Sequence, residues 1–394
     1  PYARTFPERP KPTEKLVPNL LNKTKYILHY ENLKMYLDLG MKLTKIHRVL
    51  EFKQSVWMKA YVDFCTDKRK LATTDFEKDF WKLCVNAVFG KSMENVRNRV
   101  NVRLINDPVA GIKAVAKPTF VSSKIVNKDL VMVHMARLRI VLDKPIYTGF
   151  CILDISKTIM YDFHYNYILK KYGHKNAKLL FTDTDSLCYH IKTEDLYRDM
   201  KADQSYYDTS NFDPNHPNPL LRSLHSTENE KVLGKFKCET GSFAPSEFVG
   251  LRAKMYSLKV GGKRKLTAKG IKRSFIKNHI SHPTFLKTLQ TARPTEAEFL
   301  SFASQNQQLK TLRLKKVGLS AYDDKRFILE DGKSSYAYGH RSIPSHHPLP
   351  PFPAPRKGRK RRASESDCGA VAKRVRLDPK IVFEDMFKDL KKLC

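Results

Sequence analysis

Residues 148–192 carry a long amphipathic run followed by two short apolar runs with a polar break between them, and few architectures accommodate that order. Ile152, Ile155, Ile159, Phe163 and Tyr167 recur at spacings of three and four, which predicts a helix from Thr148 to Gly173. Lys170 and Lys171 fall in its last turn, where the helix dipole favours cations. The next stretch, AKLLFTDTDSLCYHIK, reads as strand, tight turn and strand, because Leu179-Leu180-Phe181 and Leu187-Cys188-Tyr189 flank a polar Thr-Asp-Thr-Asp-Ser. A β-hairpin over residues 178–191 packed on a long helix implies an α/β chain of the α+β kind, with an antiparallel sheet backed by helices.

The flanking sequence is read the same way. Residues 24–55 suggest a strand (KYILHY), a short helix (ENLKMYLDLG) closed by Gly40, and a second strand (KLTKIHRVLEF). A helical hairpin is predicted at residues 56–69 and 75–96, with Thr74 or Asp75 as N-cap and Glu77 in the first turn. From 100 to 147 only TFVSSKIV and LVMVHM stand out as strand-like, and after a polar loop at 208–219 KVLGKFKCE and FVGLRAKMYSLKV do so again. Proline and clustered charge dominate residues 341–380, which are expected to stay unfolded, whereas 381–394 has the pattern of an amphipathic helix.

Lys and Arg total 73 against 40 Asp and Glu, a formal net charge of +33, and the usual partner for such an excess is a polyanion. Nucleic acid fits first, with a ribosomal or histone-like packing role as the plain alternative. The seven cysteines include no C-x-x-C pair, which argues against a disulfide framework or a cysteine zinc cluster and for a reducing compartment. His279-x-x-His282 reads as two solvent-facing histidines. No apolar run reaches the roughly 18 residues of a membrane helix, since YTGFCILDISKTIMYDF is interrupted by Asp154 and Lys157, so no membrane partner is expected. The chain opens at Pro1 without a secretion signal, as an incomplete gene product would.

Three constellations carry chemistry. Asp183 and Asp185 lie two apart, and in an extended segment such residues project to one face, so two hard oxygen ligands would point one way and suit Mg²⁺. Asp and Thr are also ordinary turn formers. On the second helix of the hairpin, Lys82, Asn86 and Phe89-Gly90 share one side, offering a cation, an amide and a ring to a triphosphate and its base. The same spacing is that of any amphipathic helix. In GLRAKMYSLKV, read as one strand, Arg252, Lys254 and Tyr256 share a face along which a phosphate backbone could lie, although lysine on an edge strand also blocks aggregation.

In this order KLCVNAVFGK, FTDTDSL and AKMY resemble the fingers helix, the palm metal motif and the K-x-Y strand of family B DNA polymerases. The wider wording is most similar to the protein-primed branch, within it to the polymerases of large self-synthesising DNA transposons and their viral relatives. The resemblance spans roughly residues 15–340. It implies a partial right-hand polymerase: a linker at the palm entry (1–23), palm (24–55), two-helix fingers (56–104), palm with the metal hairpin (105–260) and a thumb-like region (261–340), followed by the basic tail.

By the same resemblance Asp183 and Asp185 are catalytic and hold two Mg²⁺ ions. Lys82, Asn86, Phe89 and Gly90 bind the deoxynucleoside triphosphate, and Arg252, Lys254 and Tyr256 touch the primer strand. Lys263, Arg264 and Lys265, then Lys269, Lys272 and Arg273, grip duplex phosphates where palm passes to thumb. The partners implied are DNA primer-template, nucleotides and a terminal protein primer. Ala87 and Phe89 replace the more usual Ser and Tyr, which removes one hydrogen bond of about 1 kcal/mol.

The family's first palm motif, an Asp followed shortly by Ser or Asn, Leu and Tyr, should precede residue 24, and nothing there matches. Nor do exonuclease carboxylates. The reading is therefore a C-terminal polymerase fragment, inactive alone, with a catalytically inactive DNA-binding transposon remnant as the alternative. Arg359 to Arg362 and AKRVRLDP in the tail are similar to nuclear import signals, which implies a nuclear location.

Overall fold

In the computed structural model, residues 16–344 are described apart from 128, 306, 307 and 333, and apart from the side chains of 303–309. The expectations for 1–15 and for the tail beyond 344 lie outside the described residues. The chain mixes helix and strand throughout.

The first helix, α1 (Tyr30–Asp38), is capped by the His29 ring and closed at Gly40, whose φ of +93° suits glycine. Neither strand expected beside it forms. The His29 N–H bonds the Asp154 carboxylate at 2.7 Å, and Asn32 donates to the Asp154 carbonyl at 2.9 Å, so this backbone is tied to a side chain on another helix. Residues 42–52 pair with no described strand, and Val49 and Leu50 remain exposed. Alternation in sequence cannot supply the partner a ladder needs.

The helical hairpin is present as α2 (Lys59–Leu71) and α3 (Asp75–Ser92), and Thr74 with Glu77 forms the full capping box. A small unit follows that the sequence barely marked: β1 (Asn101–Ile105), α4 (Pro108–Val115), β2 (Phe120–Asn127) and β3 (Leu130–Met135), in the antiparallel order β1-β3-β2. Asp107 caps α4 with Pro108 at its first position, and Ala114, Val133 and Met135 form the unit's core.

The long helix is divided. α5 (Ile146–Asp162) passes through a π-helical turn at Phe163–Ile168 into α6 (Leu169–Asn176), in which Gly173 (φ +73°) breaks the regular geometry where the sequence placed the stop. Gly149 lets α5 approach α3, since a Cβ there would lie 2.8 Å from the Phe89 carbonyl and 2.4 Å from Met93 Cγ. Asp154, expected only as an interruption of an apolar run, is buried on α5 and also meets Lys157 at 3.2 Å. Among the described residues no helix is long and apolar enough to cross a membrane.

The expected hairpin forms from β4 (Ala177–Thr182) and β5 (Leu187–Ile191). It packs on a core of Phe163, Tyr167, Ile168, Met200, Phe212 and Leu224, drawn from the π turn, α7 (Leu196–Ala202), the following loop and α8 (Pro219–Leu224). Farther on, β8 (Pro245–Arg252), β9 (Met255–Val260) and β10 (Lys263–Ala268) form an antiparallel meander, after the short parallel pair β6 (Tyr207–Asp208) and β7 (Phe236–Lys237). Two helices, α9 (Arg273–His279) and α10 (His282–Thr291), cover the meander, and a two-stranded ribbon, β11 (Glu296–Gln305) with β12 (Gln308–Val317), leaves it.

Candidate functional site

Thr182 and Leu187 close the β4–β5 ladder, and residues 183–186 make the turn. The Asp183 carbonyl accepts from the Asp185 N–H at 2.7 Å and the Ser186 N–H at 3.2 Å, so a three-residue γ-turn is centred on Thr184. Thr184 has φ +58°, a conformation that costs a β-branched residue energy. This corrects the alternation argument. The two aspartates stand in a chain reversal, where the period of two no longer holds, and they have different surroundings. Asp183 Oδ1 meets Lys254 Nζ at 2.9 Å, whereas Asp185 is exposed.

The K-x-Y segment is corrected as well. GLRAKMYSLKV is two strands, because Arg252 pairs with Met255 and Ala253-Lys254 form the connection, with Lys254 at φ +59°. Arg252, Lys254 and Tyr256 therefore do not share one strand face. The turn instead aims Lys254 at Asp183 and leaves Tyr256 on β9, its ring stacked on Phe181 at 4.3 Å with Phe248 alongside. Two motifs some distance apart in sequence thus meet by a salt bridge and an aromatic stack.

Mg²⁺ takes one or two carboxylates and fills the rest of its shell with phosphate and water. Asp183 Oδ2 and both Asp185 oxygens are the donors left by Lys254. Two ions need more: among the described residues no three His, Cys, Asp or Glu side chains gather to hold a metal.

On α3, Lys82, Asn86 and Gly90 are exposed, and a Cβ at Gly90 would meet nothing within 4 Å. Phe89 is half-buried. Of the basic residues, Lys263, Arg264, Lys269 and Arg273 are exposed. Lys265 is bound by Glu239 at 3.0 Å, a hydrogen bond that raises its pKa, and Arg252 donates to the Tyr322 carbonyl at 3.3 Å. Lys272 contacts the Leu300 carbonyl and lies 5.4 Å over the Phe299 ring. Part of the positive charge of residues 263–273 is thus neutralised by Glu239.

One network, buried at Ser257 and His282 and open to solvent at Glu247 and Lys259, was not legible. Ser257 Oγ lies 2.7 Å from His282 Nδ1, His282 Nε2 lies 3.1 Å from Glu247, and Glu247 meets Lys259 at 2.6 Å. His282, expected in solvent, is 2% exposed, whereas His279 is exposed and stacks on Phe275. Ser257 is fully buried, so no substrate reaches its oxygen, and the network fastens α10 to the meander. Its members are scattered in sequence, and only the Ser281/Pro283 helix start hinted at His282. Comparisons with protein-family models, with curated proteins and with solved structures find no match for this chain.

Proposed function

We propose that the chain is the C-terminal part of a protein-primed family B DNA polymerase, contributing palm, fingers and thumb-like elements to template-directed deoxynucleotidyl transfer. The observation that carries this reading is the meeting of the D-T-D turn with the K-x-Y turn through Lys254, Asp183 and the Phe181–Tyr256 stack. Such a junction would put a primer-contacting cation beside the metal carboxylates. Asp183 and Asp185 would hold Mg²⁺, which when bound neutralises the triphosphate and activates the primer hydroxyl. Lys82 and Asn86 would orient the nucleotide from the open side of α3, and Lys263, Arg264, Lys269 and Arg273 would hold duplex phosphates.

One observation favours a second reading, a DNA-binding chain without catalysis: the Lys254 ammonium already occupies one oxygen of Asp183. Primer extension separates the two. The chain alone is expected to bind primed DNA and extend nothing. Fused to or mixed with a segment bearing the first palm Asp motif, it should extend the primer with Mg²⁺ and nucleotides, and Asp185→Asn should lower that rate by about 100-fold or more. No extension by the completed assembly, or an unchanged rate in Asp185→Asn, overturns the polymerase reading.

A further inference from the structure

Two hollows lie away from the acidic turn, in the small unit of residues 101–139. One, of about 560 Å³, opens between β1 and α4, where Ala110, Lys113 and Ala114 of the helix and Lys117 just beyond it lie opposite Arg103 and Ile105. The other, of about 430 Å³, lies beside it, lined by Arg103, Arg137 and Arg139 with Asn101 and Thr119. Arg103 belongs to both. It sits opposite Val133 in the ladder, so its side chain leaves the sheet on the face that α4 covers.

Neither lining contains an acid. Arg103, Lys113, Lys117, Arg137 and Arg139 are all exposed, and none has a salt-bridge partner among the described residues, although lysines elsewhere in the chain repeatedly find one. A run of unneutralised cations along two adjoining hollows is suited to a ligand with at least two linked anionic groups. The hollows are small, shallow and adjoining, so a flexible strand can bend to set consecutive phosphates in both, which a stiff duplex cannot. Leu138 in the second lining, 89% exposed, offers apolar surface to unstacked bases, which a duplex keeps inside.

We propose that this double cleft binds the backbone of a single nucleic-acid strand, with Arg103 bridging consecutive phosphates. The site is separate from the residues read as polymerase machinery and stands whether or not that reading holds.

The test is binding of a fluorescent single-stranded oligonucleotide by the full chain across a salt series. Replacing Arg103, Arg137 and Arg139 with Ala should weaken binding on the order of 100-fold at low salt and flatten the slope of log affinity against log salt by about 2, since each single-strand phosphate contact contributes roughly 0.7. Unchanged affinity and slope overturn the proposal. Equal losses for a blunt duplex, or displacement of the strand by equimolar inorganic triphosphate, overturn the assignment to a single strand. Should the triple variant fail to fold, amine acylation of the unmodified chain decides: the strand should protect Lys113 and Lys117, and unprotected lysines refute the site.

Discussion

In the meander, Lys254, Lys259 and Lys265 each meet an acid, namely Asp183, Glu247 and Glu239, at 2.6 to 3.0 Å. In the cleft between β1 and α4, Arg103, Lys113, Lys117, Arg137 and Arg139 meet none among the described residues. The first set lies in the region the polymerase motifs single out, and the second in a stretch with no motif at all. The contrast teaches which part of a +33 charge is available to a partner. A cation already neutralised by the protein's own carboxylate releases few counterions when DNA arrives, whereas an unpaired one contributes its full share to affinity and salt dependence.

The largest expected effect breaks or upholds that contrast directly. Replacing Lys259 and Lys265 with Ala should change single-strand affinity by no more than about threefold, against the roughly 100-fold expected in the cleft. The same salt titration reads both. Comparable losses in the two regions would mean that the meander's acids do not neutralise their lysines once nucleic acid competes.

A smaller effect extends the comparison to anions. Asp154 is the buried counterpart of the acids that pair with the meander's lysines, and it fastens α1 to α5 by accepting the His29 N–H. Burial pushes its carboxyl up, but the His29 N–H, Asn32 and Lys157 outweigh that and hold the pKa below its ordinary value of 3.8. Asp154→Ala should cost about 1–3 kcal/mol by orphaning the half-buried His29 N–H. Because the folded pKa is depressed, the linked stability is fully present above the ordinary value and is lost as pH falls through the folded one. Thermal melts should therefore show the advantage of the native chain over Asp154→Asn shrinking as pH falls below the ordinary carboxylate value, and a constant gap would show that the charged form is not what is bound.

Legibility in the sequence followed how local each interaction is. The α2–α3 hairpin announced itself because Thr74 and Glu77 cap within one turn, and the β4–β5 turn because polar residues interrupt two apolar runs. The strand expected in KLTKIHRVLEF failed because a strand depends on a distant partner. The two acids of the D-T-D turn were found, but their unequal surroundings were not, since Thr184's positive φ and the approach of Lys254 are set by packing of the meander. The cleft left no trace because its cations come from a strand, a helix and the connections after α4 and β3, and only the fold shows that their charges are unopposed.

The smallest effect bears on the site itself. Asp183 and Lys254 are 38% and 47% exposed, and solvent screens such a pair, so a double-mutant cycle with Asp183→Asn and Lys254→Met should give a coupling of about 0.2–1 kcal/mol in stability. A weak pair is what the catalytic reading requires, because Mg²⁺ must draw Asp183 away from the lysine. Millimolar Mg²⁺ with a nucleotide should then lower the coupling further, as the metal competes for the same oxygen. A coupling above about 2 kcal/mol that Mg²⁺ and nucleotide leave untouched would mean that the carboxylate is committed to Lys254. Asp183 would then serve the fold as Glu247 does, and the β4–β5 turn would have no acid but Asp185 left for a metal.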